Sequence, residues 1–191
     1  MNIKEKAIYD LAESYLKTRN NDEIHTLIAV QFGLELLKHV DAKRSIVIPA
    51  IILHDVGYHK LSAHEMQKWR DDPHNKNLQK IHEREGAKIA CSILEQIQYD
   101  PEWTDMICRI IECHDTGGGT ANVEEQMVRD CDKLWRYTET AFRRDLVLFN
   151  RTSREHYNLL ESHLNEWFFL PMSRQIAKKH LKVLKEKLAT F

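Results

Sequence analysis

A chain of 191 residues fits one domain, alone or with an appended helical segment, and can bury a proper core. With 42% apolar and 30% charged residues it is not of the disordered class. A formal net charge of -1 excludes a global basic field for holding nucleic acid, although a small phosphate compound needs only local charge.

Six Gly, four Pro and almost no alternating pattern predict an all-α chain of seven or eight helices with short joints. The first covers residues 3–18 and ends in the polar Arg19-Asn20-Asn21. Its charges leave no apolar stretch of the kind a signal peptide needs. The second starts with Asp22 as N-cap and carries Ile28, Ala29, Phe32, Leu36 and Leu37 on one side. Residues 45–56 are nearly all apolar, and their β-branched content also suits a buried strand. Pro49 weighs against a central strand and is tolerated in a helix's first turn, so a buried helix stopped by Gly57 is expected. Residues 58–77, with His59, His64, Asp71-Asp72, Pro73 and His74, read as a surface loop of the length found in lids and binding loops. Residues 78–98 form a long helix, and Asp100-Pro101 supply N-cap and first position for the next, which reaches His114. Gly117-Gly118-Gly119 breaks the chain. Helices over 123–142 and 153–169 follow, and Pro171 opens a basic helix to Phe191. No run approaches the ~18 apolar residues of a membrane span. Cys91, Cys108, Cys113 and Cys131 form no CxxC pair, which argues against a structural zinc and suggests free thiols in a reducing cytoplasm.

Histidine is the compositional exception, at eleven residues. His25 precedes Ile28, Ala29 and Phe32 at +3, +4 and +7, and so faces the core. His54 follows Val47, Ala50 and Ile51 at similar spacing, His82 precedes Gly86 and Ile89, and His114 follows Ile107, Ile110 and Ile111. One such histidine is ordinarily a core residue bonded to a carbonyl. Four near helix ends are harder to satisfy separately, since an unpaired buried polar group costs roughly 1–3 kcal/mol, and a shared metal satisfies all of them. Asp55, and either Asp130 or Asp132, add carboxylates among apolar neighbours that also need a cationic partner. Mixed imidazole and carboxylate ligation suits Zn, Fe, Mn or Co.

The order His25, His54-Asp55 and Asp132 resembles the H…HD…D signature of the HD-domain superfamily of metal-dependent phosphohydrolases. PAIILHDVG is similar to the family's apolar run ending in HD-[IV]-G, and RDCDKLW to its late A-D-[RK]-L segment. The resemblance covers roughly residues 22–136, leaving 143–191 as a helical extension of a single HD domain. It implies an HD-type helical bundle in which His25, His54, Asp55 and Asp132 hold a metal; Asp130 is the alternative for the last place. IHEREGAKIACSIL and RIIECHDTGGG resemble segments of HD proteins with two metals, among them a branch acting on symmetrical dinucleoside tetraphosphates. There Asp55 would bridge the ions, His82 and His114 would serve the second, and Glu83 and Asp115 would orient imidazoles. The chain departs from those relatives at Tyr58, where some carry Lys and some nucleotidases Glu.

The resemblance thus implies hydrolysis of a phosphate ester or phosphoanhydride in a small nucleotide-like substrate, with one or two divalent ions (Fe, Mn, Zn, Co or Ni, with Mg as a further candidate). His54 and Asp55 sit at the catalytic centre in this reading, and Lys133, Lys60, Arg84 and Arg129 are the candidates for phosphate contacts. Two other readings keep the ligand set: a mixed-valent di-iron oxygenase, and a metal-holding helical sensor or scaffold without catalysis. Trp167-Phe168-Phe169-Leu170 is an apolar stretch for core packing or for a homodimer contact.

Overall fold

The computed structural model describes residues 1–18, 22–72, 75–117 and 122–191. The expected joint at Arg19-Asn20-Asn21, Pro73 and His74 of the expected loop, and Gly118-Gly119 lie outside them. The described residues form α1 (Ile3–Leu16), α2 (Asp22–Leu36), α3 (Arg44–Leu53), α4 (Ala63–Asp71), α5 (Lys76–Gln96), α6 (Pro101–Cys113), α7 (Val123–Trp135), α8 (Glu139–Leu148), α9 (Ser153–His163) and α10 (Pro171–Glu186). Short 3-10 helices occupy Val56–Lys60 and Leu188–Thr190, and no strand occurs among the described residues. No helix among them is long and apolar enough to cross a membrane.

Ten α-helices replace the seven or eight expected, for two local reasons. The expected loop after Tyr58 contains α4, which Ser62 and Glu65 open with a reciprocal capping box. Only Trp69 of α4 is buried, so no apolar stripe announces it. The helix expected over 123–142 is two: α7 ends at Trp135, and Thr138 caps α8 by accepting the Ala141 amide at 3.3 Å. Between them Tyr137 is fully buried and donates its hydroxyl hydrogen to the Leu160 carbonyl at 2.9 Å, fastening the corner to α9.

The apolar run becomes α3, buried from Ile46 to Leu53 and packed against α1, α2, α6 and α7. Full burial of each large aliphatic here stabilises by about 1.5–3 kcal/mol. Pro49 lies inside this helix, not in its first turn. It has no N–H to offer the Ser45 carbonyl, which instead accepts the Tyr99 hydroxyl at 2.8 Å. Gly57 does not stop the helix either: α3 ends at Leu53, and Gly57 sits within the following 3-10 turn.

Two of the four cysteines are not free thiols. Cys91 of α5 and Cys108 of α6, with Cα atoms 6.0 Å apart, are joined by a disulfide, while Cys113 and Cys131 are free. The partners face each other across two packed helices, a relation that local spacing does not reveal.

The C-terminal helices share the main core through Tyr157, Leu160, Phe168, Ala177, Leu181 and Leu184. Within Trp167-Phe168-Phe169-Leu170, Phe168 is buried and Phe169 exposed. Asp130 anchors this stretch by accepting the amide hydrogens of Phe169 and Leu170 at 2.9 and 3.0 Å. Farther out, His156 of α9 is buried beside Asp145, with its Nδ1 3.4 Å from the Arg151 guanidinium. Burial holds the His156 pKa down at about 4, against an ordinary value near 6.5. Over that interval the unfolded chain takes up a proton that the folded chain refuses, so the stability due to His156 is complete above about 6.5 and is lost on acidification. We expect that loss to be on the order of 2 kcal/mol. Asp130, pushed up by burial to about 6, titrates in the opposite sense, so the comparison must be with a variant. Urea unfolding of His156→Gln at neutral and acid pH should show a flatter dependence than wild type; equal slopes would refute this.

Candidate metal centre

Five helices deliver the predicted residues to one spot. His25 comes from the first turns of α2, and His54 and Asp55 from the end of α3. His82 comes from within α5, His114 and Asp115 from the end of α6, and Asp132 and Lys133 from the last turns of α7. Glycines at 57 and 86 let the turn after Asp55 lie directly on α5.

Asp55 is the centre of the arrangement. Its Oδ2 lies 3.1 Å from His25 Nδ1 and 3.5 Å from His54 Nε2. Its Oδ1 lies 3.9 Å from both His82 Nε2 and His114 Nε2. Asp132 Oδ1 closes the first side, at 3.2 Å from His25 Nε2 and 3.7 Å from His54 Nε2. On the second side the Nε2 atoms of His82 and His114 are 3.4 Å apart, and Asp115 Oδ2 is 3.7 Å from His82 Nε2. Two buried trios result, His25-His54-Asp55 and Asp55-His82-His114, each with ligand atoms within 4.8 Å of one another. They share Asp55.

The donor set fits a divalent cation. His54 and His114 each set Nδ1 against a carbonyl of their own last turn, Ile51 at 2.7 Å and Ile111 at 2.8 Å. Nδ1 therefore carries the proton of the neutral ring, whose Nε2 lone pair then points into the cluster. The Nε2 atoms of His25 and His54 are buried without an aligned hydrogen-bond partner. Ligands about 2.0–2.2 Å from one cation necessarily lie roughly 3–4 Å from each other, as these do.

Charge points the same way. Asp115 and Asp132 share the ammonium of Lys133, 2.6 Å from Asp132 Oδ2 and 3.3 Å from Asp115 Oδ1. Burial resists protonation of His54, yet Asp55 and Asp132 outweigh it and push its pKa up to about 9. Burial likewise opposes ionisation of Asp132, but Lys133, His25 and His54 hold its carboxyl well below the ordinary carboxylate range. Lys133 above all brings Asp115 down to about 2 against the same burial. The cluster is a place that demands positive charge.

The remaining candidates separate clearly. Asp130, the alternative to Asp132, is turned to the C-terminal segment. Glu83 accepts the amide hydrogens of Asp115 and Thr116, both at 2.7 Å, and the Thr116 hydroxyl at 2.5 Å. It therefore fixes the turn that follows His114 rather than an imidazole. Arg129 is committed to structure: it donates to the carbonyls of Gly117 at 2.9 Å and Cys113 at 2.7 Å and pairs with Glu125. Arg84 is exposed and pairs with its neighbour Glu85, and Lys60 is exposed at the end of its 3-10 turn. Among the described residues, no hydrogen bond or ion pair joins Lys60, Arg84 or Arg129 to the cluster. Lys133 alone of the four cations reaches it.

The sequence reading missed the aromatic frame. Trp135 stacks on His25 with ring centres 5.2 Å apart, and Tyr58 stacks on His82 at 4.1 Å. Asp115, expected to orient an imidazole, lies beside His82, its Oδ2 3.7 Å from Nε2.

The HD domain family matches residues 23–137, a span that includes every residue of both trios. None of the curated proteins matches the chain. A crystal structure described as a predicted HD superfamily hydrolase from an uncultured Thermotogales bacterium is similar over 100% of this chain and 97% of that one, with a TM-score of 0.66 and 17% identity. At that identity the likeness shows a common fold.

Proposed function

The chain belongs to the HD-domain family, and from that premise we propose that it is a metal-dependent phosphohydrolase acting on a phosphate ester or phosphoanhydride of a small nucleotide-like molecule. The observation that carries this reading is the division of one buried carboxylate, Asp55, between two pairs of imidazoles. In this proposal His25, His54, Asp55 and Asp132 hold one divalent ion, and Asp55, His82 and His114 hold a second. Mixed imidazole and carboxylate donors favour Fe, Mn, Zn, Co or Ni.

A divalent ion bound there supplies positive charge to phosphoryl oxygens and lowers the pKa of water toward ~7. The protein's own part is placement, which is most of what phosphoryl transfer requires. The carbonyls of Ile51 and Ile111 fix the His54 and His114 rings before any ligand arrives. Asp115 and Asp132 hold the Lys133 ammonium at the edge of the cluster, where a quarter of its side chain remains exposed. From there it can donate to an incoming phosphoryl oxygen. The imidazoles and Asp55 are almost wholly buried, which limits bulk water around the reacting group.

The test is phosphate release by protein stripped with chelator and reloaded with each candidate metal. Nucleoside monophosphates, dinucleoside polyphosphates and p-nitrophenyl phosphate span the ester and anhydride classes. Turnover that disappears with the metal and returns with it is the expected result. A folded, metal-loaded protein inert on every phosphate tried would overturn the proposal.

A further inference from the structure

We infer that Tyr58, backed by Trp69, is a positioning residue that sets the affinity of the second cation site by holding the ring of His82 flat against its own. The inference rests on the two-cation reading above. The rings of Tyr58 and His82 are stacked at 4.1 Å with 18° between their planes. Trp69 meets the Tyr58 ring edge-on, at 5.5 Å and 68°. With 5% exposure, Tyr58 has almost no surface to offer a substrate, so its effect passes through His82.

The three imidazoles given to the site by α3, α5 and α6 are placed differently. His54 and His114 stand at helix C-termini, where Nδ1 reaches a carbonyl of the last turn that the helix leaves open. His82 lies within α5, where the carbonyls of the preceding turn belong to the helix ladder. The Tyr58 face lies flat against its ring, with the edge of His114 beside it at 5.1 Å. Rotating the His82 ring to lead Nε2 away from Asp55 would break the stack.

The frame is also separable from the rest of the fold. Tyr58, Leu61, Trp69 and Leu78 form a small apolar cluster of their own, with Met66 and Ile81 packed against it. The large core that carries the helices of His25, His54 and Asp132 does not include them. Loosening the small cluster should therefore weaken one cation site and spare the other. A general loss of stability would affect both.

The experiment is titration of the metal-free full chain with Co2+, followed by calorimetry and by the visible absorption of the bound ion, with helical content measured alongside. Wild type should bind two ions. In Tyr58→Leu the first should bind as in wild type, and the second should weaken by about tenfold to a hundredfold, the range for a partner that orients a ligand. Tyr58→Phe keeps the stacking face and should restore the second ion. Trp69→Leu should weaken the same ion less, and carries the test should Tyr58→Leu fail to fold. A single ion in wild type, unchanged binding in the Leu variants, equal weakening of both ions in a folded variant, or Tyr58→Phe as poor as Tyr58→Leu would each overturn the inference. Two ions without hydrolysis of any phosphate would defeat the proposed activity and leave this inference standing.

Discussion

Replacing Asp55 by alanine should abolish phosphate release and cost the protein both cations at once. The carboxylate has one oxygen toward His25 and His54 and the other toward His82 and His114. Removing it takes a ligand from each site and a negative charge from between them. The loss of rate should be at least about a thousandfold, roughly 4 kcal/mol of transition-state stabilisation. The helices should persist, because the side chain contributes no apolar area to the core around α3. His82→Ala provides the contrast, since His82 stands on the Oδ1 side of Asp55: the protein should lose one ion and keep the other. Elemental analysis and phosphate release on the same preparations read both effects. Asp55→Ala retaining two ions, or a rate near wild type, would show that the shared carboxylate is not the hinge of the site.

Much of this centre was legible in the sequence because its residues are tied to helix registers. His25, His54, His82 and His114 each follow or precede aliphatic residues at helical spacing, and all four are buried where that spacing puts them. The choice between Asp130 and Asp132 could not be made from periodicity, since both belong to buried positions of α7. It depends on which neighbour each one faces, the tail of the chain for Asp130 and the imidazoles for Asp132. Arg129 illustrates a related limit. Arg129 lies on a buried helix face, yet its guanidinium is taken by carbonyls at the end of α6 and just beyond, partners set by a loop rather than by a pattern. Helix α4 escaped because its order comes from a capping box and a single buried tryptophan. The Ser45 carbonyl, which Pro49 inside α3 cannot serve, is met by the hydroxyl of Tyr99, fifty-four residues away. Long-range satisfaction of this sort leaves no local mark.

Of the alanine substitutions at Gly33, Gly57 and Gly86, Gly57→Ala should be the most damaging. A Cβ at Gly57 would lie 1.9 Å from the His82 carbonyl oxygen, 2.6 Å from the Gly86 amide nitrogen and 2.8 Å from the Gly86 Cα. All three are backbone atoms of a helix, and none can swing aside. Relief requires the 3-10 turn to lift off α5 by more than ~1 Å, two residues after Asp55 and directly over His82. Overpacking of this kind costs about 1–3 kcal/mol where side chains can adjust, and should reach or exceed the top of that range here. Gly33→Ala sets the scale. There the nearest atom, 2.6 Å away, is the Cδ1 of Ile51, the end of a flexible side chain, and a helix interior gains up to ~1 kcal/mol from alanine. Gly86→Ala meets nothing closer than 3.3 Å and should be the mildest of the three. Urea midpoints should therefore fall in the order Gly86→Ala, Gly33→Ala, Gly57→Ala, with the last well separated. Because lifting the turn carries Asp55 away from His82, Gly57→Ala should also lose the second ion under conditions where it is still folded. A Gly57→Ala protein as stable as Gly86→Ala, with both ions bound, would mean that the close approach of the turn to α5 does not build the site.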